Sequence, residues 1–169
     1  FDAISLMPTN LYGPGDNYHP DNSHVMASLI RKFYTASKKT LPEVNCWGTG
    51  SVYREFLHSD DLGSAVVFAL EKWDPSSINA PLDVEGKPLN MLNVGTGIDI
   101  TIKELVNLIA SEFNFKGIVN WDSSKPDGTP KKLLNVERLS KLGWEPKISL
   151  EKGIKDTINL LQKEQLFEN

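Results

Sequence analysis

The chain has 169 residues, of which 40% are hydrophobic and 24% charged, and its formal net charge is −4. These values fit a soluble globular protein with a substantial core, and the acidic balance argues against nonspecific nucleic-acid binding. The longest apolar run, residues 65–70, is far shorter than the roughly 20 residues that span a bilayer. A single cysteine, Cys46, excludes an internal disulfide framework and a cysteine-rich zinc site. We therefore predict a cytoplasmic protein that binds neither nucleic acid nor membrane.

The chain opens inside an apolar run, residues 1–7, without an initiator methionine or a signal-peptide pattern. Such a run predicts a buried strand. Because a domain rarely begins inside a core strand, we expect an earlier part of the protein to precede Phe1.

The remaining elements follow from apolar spacing, capping residues and turn-forming residues. They are, in chain order, a helix over 24–38 capped by Ser23, strands over 44–47 and 53–58, a helix capped by Asp60, a loop over 74–90, a strand over 90–95, a helix opened by a capping box at 101–104, a strand over 117–121, a loop over 123–130, a helix over 135–142 that ends at Gly143, and a helix over 149–163. One face of the helix after Asp60 carries Leu62, Val66, Ala69 or Leu70, and Trp73. We expect this face to be buried. The alternation of elements is typical of α/β or α+β folds with mixed sheets.

The sequence contains no Walker loop and no G-x-G-x-x-G, H-E-x-x-H or G-x-S-x-G motif. Serine, histidine and aspartate all occur, but nothing in the pattern places them together as a hydrolase triad. The three histidines are not spaced with carboxylates as metal ligands are, so we predict no metal site. The notable polar and aromatic residues at strand ends and in loops are Asn10, His24, Trp47, Arg54 and the segment 125–132. Basic side chains beside a planar aromatic ring suit a ligand with phosphates and a flat base.

Tyr34 and Lys38 form a Y-x-x-x-K pattern, in which both side chains share one helix face. Short-chain dehydrogenases use such a pair for catalysis, but they carry a glycine-rich nucleotide loop well before it. Only 33 residues precede Tyr34, so we favour an ordinary helix with an exposed lysine.

Several segments carry a family resemblance: residues 7–25, 47–50, 54–62, 93–97, 125–133, 142–146 and 153–154. Together they resemble the GDP-L-fucose synthase family of extended short-chain dehydrogenase/reductases. The segments 8–14 and 54–62 are of a kind found in many sugar-nucleotide epimerases and dehydratases, whereas 22–25 and 125–129 are more particular to this family. The likeness covers nearly the whole chain, with residues 74–90 resembling an insertion.

The resemblance implies the C-terminal part of a Rossmann-type, NAD(P)-binding α/β fold, joined to a small mixed α/β substrate-binding domain. Residues 1–169 would be the substrate-binding half plus the last strands of the nucleotide-binding sheet, with the dinucleotide-binding part missing. This family epimerises GDP-4-keto-6-deoxy-D-mannose at C3 and C5, then reduces C4 with NADPH to give GDP-L-fucose. It implies NADP as cofactor, a GDP-sugar as substrate and a homodimer as the intact enzyme. The family's glycine-rich loop and its Ser, Tyr and Lys catalytic residues find no match here, so we expect this chain alone to be inactive, with exposed apolar surface.

The resemblance also implies roles for individual residues. His24 matches the acid/base group that removes and returns protons beside the ketone, and it also matches a contact with the nicotinamide end of NADP. The cofactor-binding segment corresponds to Pro8, Thr9, Asn10 and Leu11, and the substrate-binding positions correspond to Lys32, Trp47, Arg54, Asp127 and Lys132. At position 32 the family pattern has arginine, so Lys32 keeps the charge but loses the bidentate fork.

Each assignment has a structural alternative. His24 could bond its own loop, Asn10 could form a turn, and Trp47 could fill the core. Arg54 could pair with Glu55, while Asp127 and Lys132 could belong to a solvated turn. We predict that Cys46 is a core residue and that His58 has a structural role beside the Asp60 helix cap.

Two other functions remain open. The chain could belong to a different epimerase or dehydratase that acts on UDP- or dTDP-sugars. It could also be a binding module for nucleotide sugars that has no catalytic activity.

Overall fold

The computed structural model describes residues 3–164. Its strands are β1 (Ser5–Pro8), β2 (Asn10–Tyr12), β3 (Glu43–Trp47), β4 (Tyr53–His58), β5 (Met91–Val94), β6 (Asp99–Thr101), β7 (Ile118–Asp122) and β8 (Lys131–Lys132). Its helices are α1 (Val25–Lys38), α2 (Ser59–Lys72), α3 (Ile102–Glu112), α4 (Glu137–Leu142) and α5 (Leu150–Lys163). Mixed strand pairing and interspersed helices confirm the α/β class.

Strand β4 is the hub of the strand pairing. Its last residues pair in parallel with β2, while its first residues pair with β6 in the antiparallel direction and with β8 in parallel. Two further parallel pairs, β1 with β5 and β3 with β7, stand apart from this sheet. One strand therefore joins β2, β6 and β8 in a single sheet.

Strand β1 forms where the opening apolar run predicts it, but the prediction that it is buried is wrong. Met7 is half exposed, and Ser5 and Pro8 are also exposed. The reason is that β1 pairs only with β5 among the described residues, which leaves one edge of β1 and part of its face open. Phe1 and Asp2 of the predicted run lie outside the described residues.

The predicted helices all form, but two of the predicted caps are wrong. His24, not Ser23, is the N-cap of α1, and its side chain makes no capping hydrogen bond. Helix α2 is capped by His58, whose Nδ1 accepts from the Asp60 N–H at 3.2 Å, which confirms the structural role of His58. The capping box of α3 is confirmed, since Thr101 and Glu104 bond each other's backbone N–H groups.

The predicted buried face of α2 is only partly correct. Ala69 and Trp73 are buried, whereas Val66 is 40% and Leu70 72% exposed. The helix instead buries the side of Asp61, Ala65 and Ala69 against the protein. Apolar residues lie on more than one side of α2, so the sequence pattern alone does not decide which side is buried. Packing against β4 and β5 decides it.

The described residues form two hydrophobic clusters. The larger lies among α1, α3, α5, β3 and β4, and Phe33 and Ile109 are fully buried in it. The smaller packs α2 against β5, α4 and Trp144. Cys46 is buried in the larger cluster, which confirms its core position.

Candidate functional site

Trp47 projects from the end of β3 into an open groove. Side chains alternate along this strand, so Val44 and Cys46 point into the core while Asn45 and Trp47 point outward. The side chain of Trp47 is 68% exposed. The alternative that Trp47 fills the core is therefore wrong, and a large planar ring is free to meet a ligand.

Two ammonium groups lie close to the Trp47 ring. The Lys32 Nζ is 5.6 Å and the Lys125 Nζ 5.7 Å from the ring centroid, distances at which a cation is attracted to the π face. Lys32 also donates to the Asn45 carbonyl oxygen at 2.8 Å. Helix α1 supplies Lys32 and the loop after β7 supplies Lys125, so the two positive charges come from separate elements.

Arg54 lies half-buried near the start of β4, beside the loop that follows β7. Its Nη1 donates to the carbonyl oxygens of Tyr53 and Thr129, at 2.6 and 2.7 Å. Its Nη2 approaches the Asp127 carbonyl oxygen at 3.5 Å. Pairing of Arg54 with Glu55 is not what these contacts show, because neighbouring side chains of a strand point to opposite faces.

Three neighbouring cavities, of about 190, 260 and 430 Å³, all have Trp47 in their walls. Arg54 and Asp127 line the first, and Lys32 lines the other two. Four of the five predicted substrate-binding residues therefore meet around one groove, here called the Trp47 groove. Lys132 is exposed on β8, where it pairs in register with Arg54 rather than lining these cavities.

Asp127 holds the groove wall together. Its Oδ1 accepts from the Thr49 N–H at 2.7 Å and its Oδ2 from the Thr49 hydroxyl at 2.8 Å. These hydrogen bonds, with the nearby Arg54 charge, lower the pKa of the Asp127 carboxyl below its ordinary value. The alternative that Asp127 merely belongs to a solvated turn is therefore incomplete. Its carboxylate also fixes the loop 125–130 to the turn after β3.

This pairing predicts a pH dependence of the groove. Since the Asp127 pKa is lowered in the folded chain, its hydrogen bonds stabilise the loop above the ordinary carboxyl pKa and are lost as pH falls through the lower folded value. We expect the loop to stay in place from neutral pH to about pH 5 and to loosen only under more acid conditions. Tryptophan fluorescence during an acid titration measures this, with Asp127→Asn as the comparison. Loosening at pH 6 to 7 would contradict the assignment.

His24 lies at the N-terminal end of α1 and its side chain is exposed. The next residue, Val25, lines two of the three cavities around Trp47. His24 thus precedes a groove-lining residue in the chain, but it lines none of the three cavities itself. Its role in proton transfer stays a prediction.

The segment 8–11 runs from the carboxyl end of β1 into β2. Thr9 Oγ1 and Asn10 Nδ2 both donate to the Glu55 carbonyl oxygen, at 3.3 and 2.8 Å. Asn10 belongs to a strand, so the alternative that it forms a turn is wrong. Pro8 and Leu11 are exposed and leave apolar surface at the end of the strand.

Sequence reasoning missed the two residues that organise these segments. Glu55 is fully buried on β4 and accepts four hydrogen bonds through its carboxylate. Asp61 is buried on α2 and accepts from the Lys147 and Ile148 N–H groups. Both lie in the segment 54–62, which is largely polar and contains a third acidic residue, Asp60, so local composition does not single them out. Their partners lie about 40 to 90 residues away, which no local pattern reveals.

The Tyr34–Lys38 pair lies on α1 away from the groove residues. Tyr34 is buried and packs edge-on against Phe113, with ring centroids 6.2 Å apart. Lys38 Nζ lies 5.6 Å from the Tyr34 ring centroid. In this structure Tyr34 is a packed aromatic residue of the core.

Among residues 3–164, no helix is long and apolar enough to cross a membrane. The same residues contain no cluster of three or more His, Cys, Asp or Glu side chains that could hold a metal ion.

Known proteins resemble the chain over most of its length. Residues 1–80 match the NAD dependent epimerase/dehydratase family. A GDP-L-fucose synthase of Escherichia coli K12 is 49% identical over 156 residues, which are 92% of this chain and 47% of that protein. A probable GDP-L-fucose synthase 1 of Oryza sativa subsp. japonica is 48% identical over 157 residues, 93% of this chain and 44% of that protein.

A solved structure gives the same picture of the fold. The GDP-mannoheptose C4 reductase MlghC of Campylobacter jejuni, with NADP bound, superimposes with a TM-score of 0.74 at 29% identity. The alignment covers 94% of this chain and 49% of that one. The chain thus spans about half the length of the relatives that it matches.

Proposed function

We propose that the chain belongs to the NAD dependent epimerase/dehydratase family and forms part of an NADP-dependent GDP-L-fucose synthase; the match of residues 1–80 to that family and the likeness to GDP-L-fucose synthases support this. The intact enzyme would epimerise GDP-4-keto-6-deoxy-D-mannose at C3 and C5 and reduce C4. Residues 1–169 would supply the substrate-binding half and the last strands of the nucleotide-binding sheet. We also propose that the intact enzyme is a homodimer in the cytoplasm.

One observation carries the substrate part of this proposal: the exposed Trp47 ring with two lysine ammonium groups near it. An indole offers a face on which a nucleobase stacks. Lys32 and Lys125 near the ring and Arg54 in the adjoining cavity offer positive charges for a diphosphate. Lys132 adds a further ammonium beside Arg54 in the strand register. A nucleoside diphosphate sugar combines these flat and anionic parts in one molecule.

The epimerisation chemistry is assigned to His24. A ketone at C4 acidifies the protons at C3 and C5, and an imidazole exchanges protons near neutral pH. His24 is exposed and immediately precedes the cavity-lining residue Val25 in the chain. It would remove a proton from one face of the sugar carbon, which leaves an enolate, or it would return a proton to the opposite face of that enolate.

The described residues fit only part of a dinucleotide site. Nucleotide cofactors bind at the carboxyl ends of parallel strands, and Pro8 and Val94 stand at such ends in β1 and β5. The exposed Pro8 and Leu11 would give the apolar contact for the nicotinamide end, while Thr9 and Asn10 fix the strand through the Glu55 carbonyl. When bound, NADPH would supply the hydride for the C4 ketone. The NADP in the Campylobacter reductase structure supports this choice of cofactor.

Nucleotide binding tests the proposal directly. We expect calorimetry to show that the 169-residue chain binds GDP more tightly than UDP or dTDP, because the Trp47 groove would be built for the GDP-sugar. Trp47→Ala should weaken GDP binding about tenfold, the magnitude of one lost base–aromatic stack.

Leu70→Ala is the matched control for that variant, since Leu70 is as exposed as Trp47 but lies on α2. It should leave GDP binding unchanged. Equal affinity for the three nucleotides would favour another sugar-nucleotide enzyme, and absence of binding would refute the site. The same preparation should not oxidise NADPH with the keto-sugar. NADPH oxidation by this chain would contradict the proposal that residues 1–169 supply only the substrate-binding half and the last strands of the nucleotide-binding sheet.

A further inference from the structure

Glu55 is the most connected buried charge in the described part of the chain. Its side chain is fully buried. Carboxylate Oε1 accepts from the Thr96 and Gly97 N–H groups at 2.6 and 2.7 Å, and from the Thr96 hydroxyl at 3.4 Å. Oxygen Oε2 accepts from the Leu134 N–H at 3.0 Å. One carboxylate therefore holds the turn after β5 and the segment after β8 at the same point.

The main chain of the same residue holds a third segment. The Glu55 carbonyl oxygen accepts hydrogen bonds from Thr9 Oγ1 and Asn10 Nδ2, the two polar side chains of the proposed cofactor segment. The preceding residue is Arg54, which is assigned to the substrate. A single position on β4 thus lies between the groups that would hold the cofactor and those that would hold the sugar nucleotide.

Surrounding residues are adapted to this carboxylate. At Gly95, a Cβ atom would overlap Glu55 Oε1, so glycine is what lets the carboxylate reach the turn. A second tie supports the segment after β8, because Asn93 Nδ2 donates to the Asn135 carbonyl oxygen at 3.1 Å. A fully buried carboxylate is costly unless its oxygens are hydrogen-bonded, and here backbone N–H groups meet that need.

We infer that Glu55 is a positioning residue of the proposed enzyme, which sets the place of Lys132 beside Arg54 through its hydrogen bond to the Leu134 N–H. Lys132 is only two residues before Leu134, and its strand is two residues long. So short a strand gains little order from its own pairing with β4. The Glu55–Leu134 bond fixes the end of this strand and thereby the distance between the Lys132 and Arg54 charges. The inference rests on the proposed GDP-sugar site.

Glu55→Gln tests the inference on the full chain. The amide oxygen still accepts from Thr96 and Gly97, but the NH2 group then faces the Leu134 N–H, so two donors oppose each other. We expect the dissociation constant for GDP to rise about tenfold, as for one lost charge-assisted hydrogen bond. Calorimetry separates this from misfolding, because a merely structural loss lowers the fraction of binding-competent chain and leaves the dissociation constant unchanged. Glu55→Asp, which keeps the charge, should recover part of the affinity.

Coupling to Lys132 is the decisive readout. Lys132→Gln should weaken GDP binding in the wild-type chain but add almost nothing in the Glu55→Gln chain, since the lysine would already be displaced. Asn93→Ala loosens the same segment without touching the carboxylate, and it should weaken GDP binding a few-fold even if Glu55→Gln fails to fold.

Two results overturn the inference. One is a folded Glu55→Gln chain with wild-type GDP affinity, and the other is full additivity with Lys132→Gln. If Glu55→Gln does not fold, unchanged affinity in Asn93→Ala has the same meaning. Failure of the wild-type chain itself to bind GDP is a different outcome, which removes the proposed function and not the positioning role alone.

Discussion

Replacing Arg54 by glutamine is expected to weaken GDP binding by about 10- to 100-fold. A hydrogen bond between charged partners contributes roughly 1.5–3 kcal/mol, and each 1.4 kcal/mol is a factor of ten in affinity. Arg54 is half-buried, its guanidinium is held by the Tyr53 and Thr129 carbonyls, and it lines the cavity beside Trp47. A preorganised fork of this kind loses little side-chain entropy on meeting a diphosphate. Calorimetry with GDP measures the effect.

Arg138→Gln is the matched control, because it makes the same chemical change at an exposed arginine on α4. It should leave GDP affinity within about twofold. Arg54→Lys separates charge from geometry, and we expect it to recover only part of the loss. An equal loss in Arg54→Gln and Arg138→Gln would mean that net charge, not the groove, governs binding.

Replacing Gly153 by alanine is expected to lower the free energy of unfolding by about 1–3 kcal/mol, the usual cost of overpacking a core. Gly153 is buried in α5, where a Cβ atom would overlap the Tyr12 hydroxyl and approach the His58 ring to 3.1 Å. Tyr12 and His58 are both buried and pack edge-on, with ring centroids 5.3 Å apart. The extra methyl group therefore pushes on the packed ends of β2 and β4. Urea denaturation followed by circular dichroism measures the change.

Gly63 offers the matched comparison, since it also lies in a helix but has nothing within 4 Å of an added Cβ atom. Gly63→Ala should stabilise the chain by about 0.5–1 kcal/mol through helix propensity alone. In a Tyr12→Phe background the hydroxyl is gone, so Gly153→Ala should cost less than in the wild type. Destabilisation of the same size at both glycines would contradict the packing explanation.

Local patterns sufficed for the helices, for the strands β1, β3, β4, β5 and β7, and for part of the site, but they did not predict the short strands β2, β6 and β8. The capping box at Thr101 and Glu104 closes within one turn of helix, so its residues are visible together in the sequence. Strand β4 begins and ends where its apolar pattern predicts. The family resemblance indicated Lys32, Trp47, Arg54 and Asp127, and the structure brings these four residues around one groove. Each of these predictions depends on neighbours in the chain or on a recognisable segment.

Local patterns predicted the solvent exposure of side chains less well than they predicted the helices and strands. Met7 on β1 and Val66 and Leu70 on α2 are apolar residues that local patterns assign to the core, yet all three are exposed. Trp47 has the same ambiguity, and the alternation of β3 resolves it only once the inward side of Val44 and Cys46 is known. Burial depends on what packs against a face, and that partner comes from elsewhere in the chain.

By itself, the sequence determined the five helices, five of the eight strands described in residues 3–164, the capping box of α3, the α/β class and four residues of the Trp47 groove. Only the tertiary structure decided that β4 joins β2, β6 and β8, and that Glu55 binds the turn at 96–97 and the N–H of Leu134. The physical reason is the range of the interactions. Caps and periodicity act over a few residues, whereas strand register and the hydrogen bonds of a buried carboxylate join residues 41 to 79 positions apart.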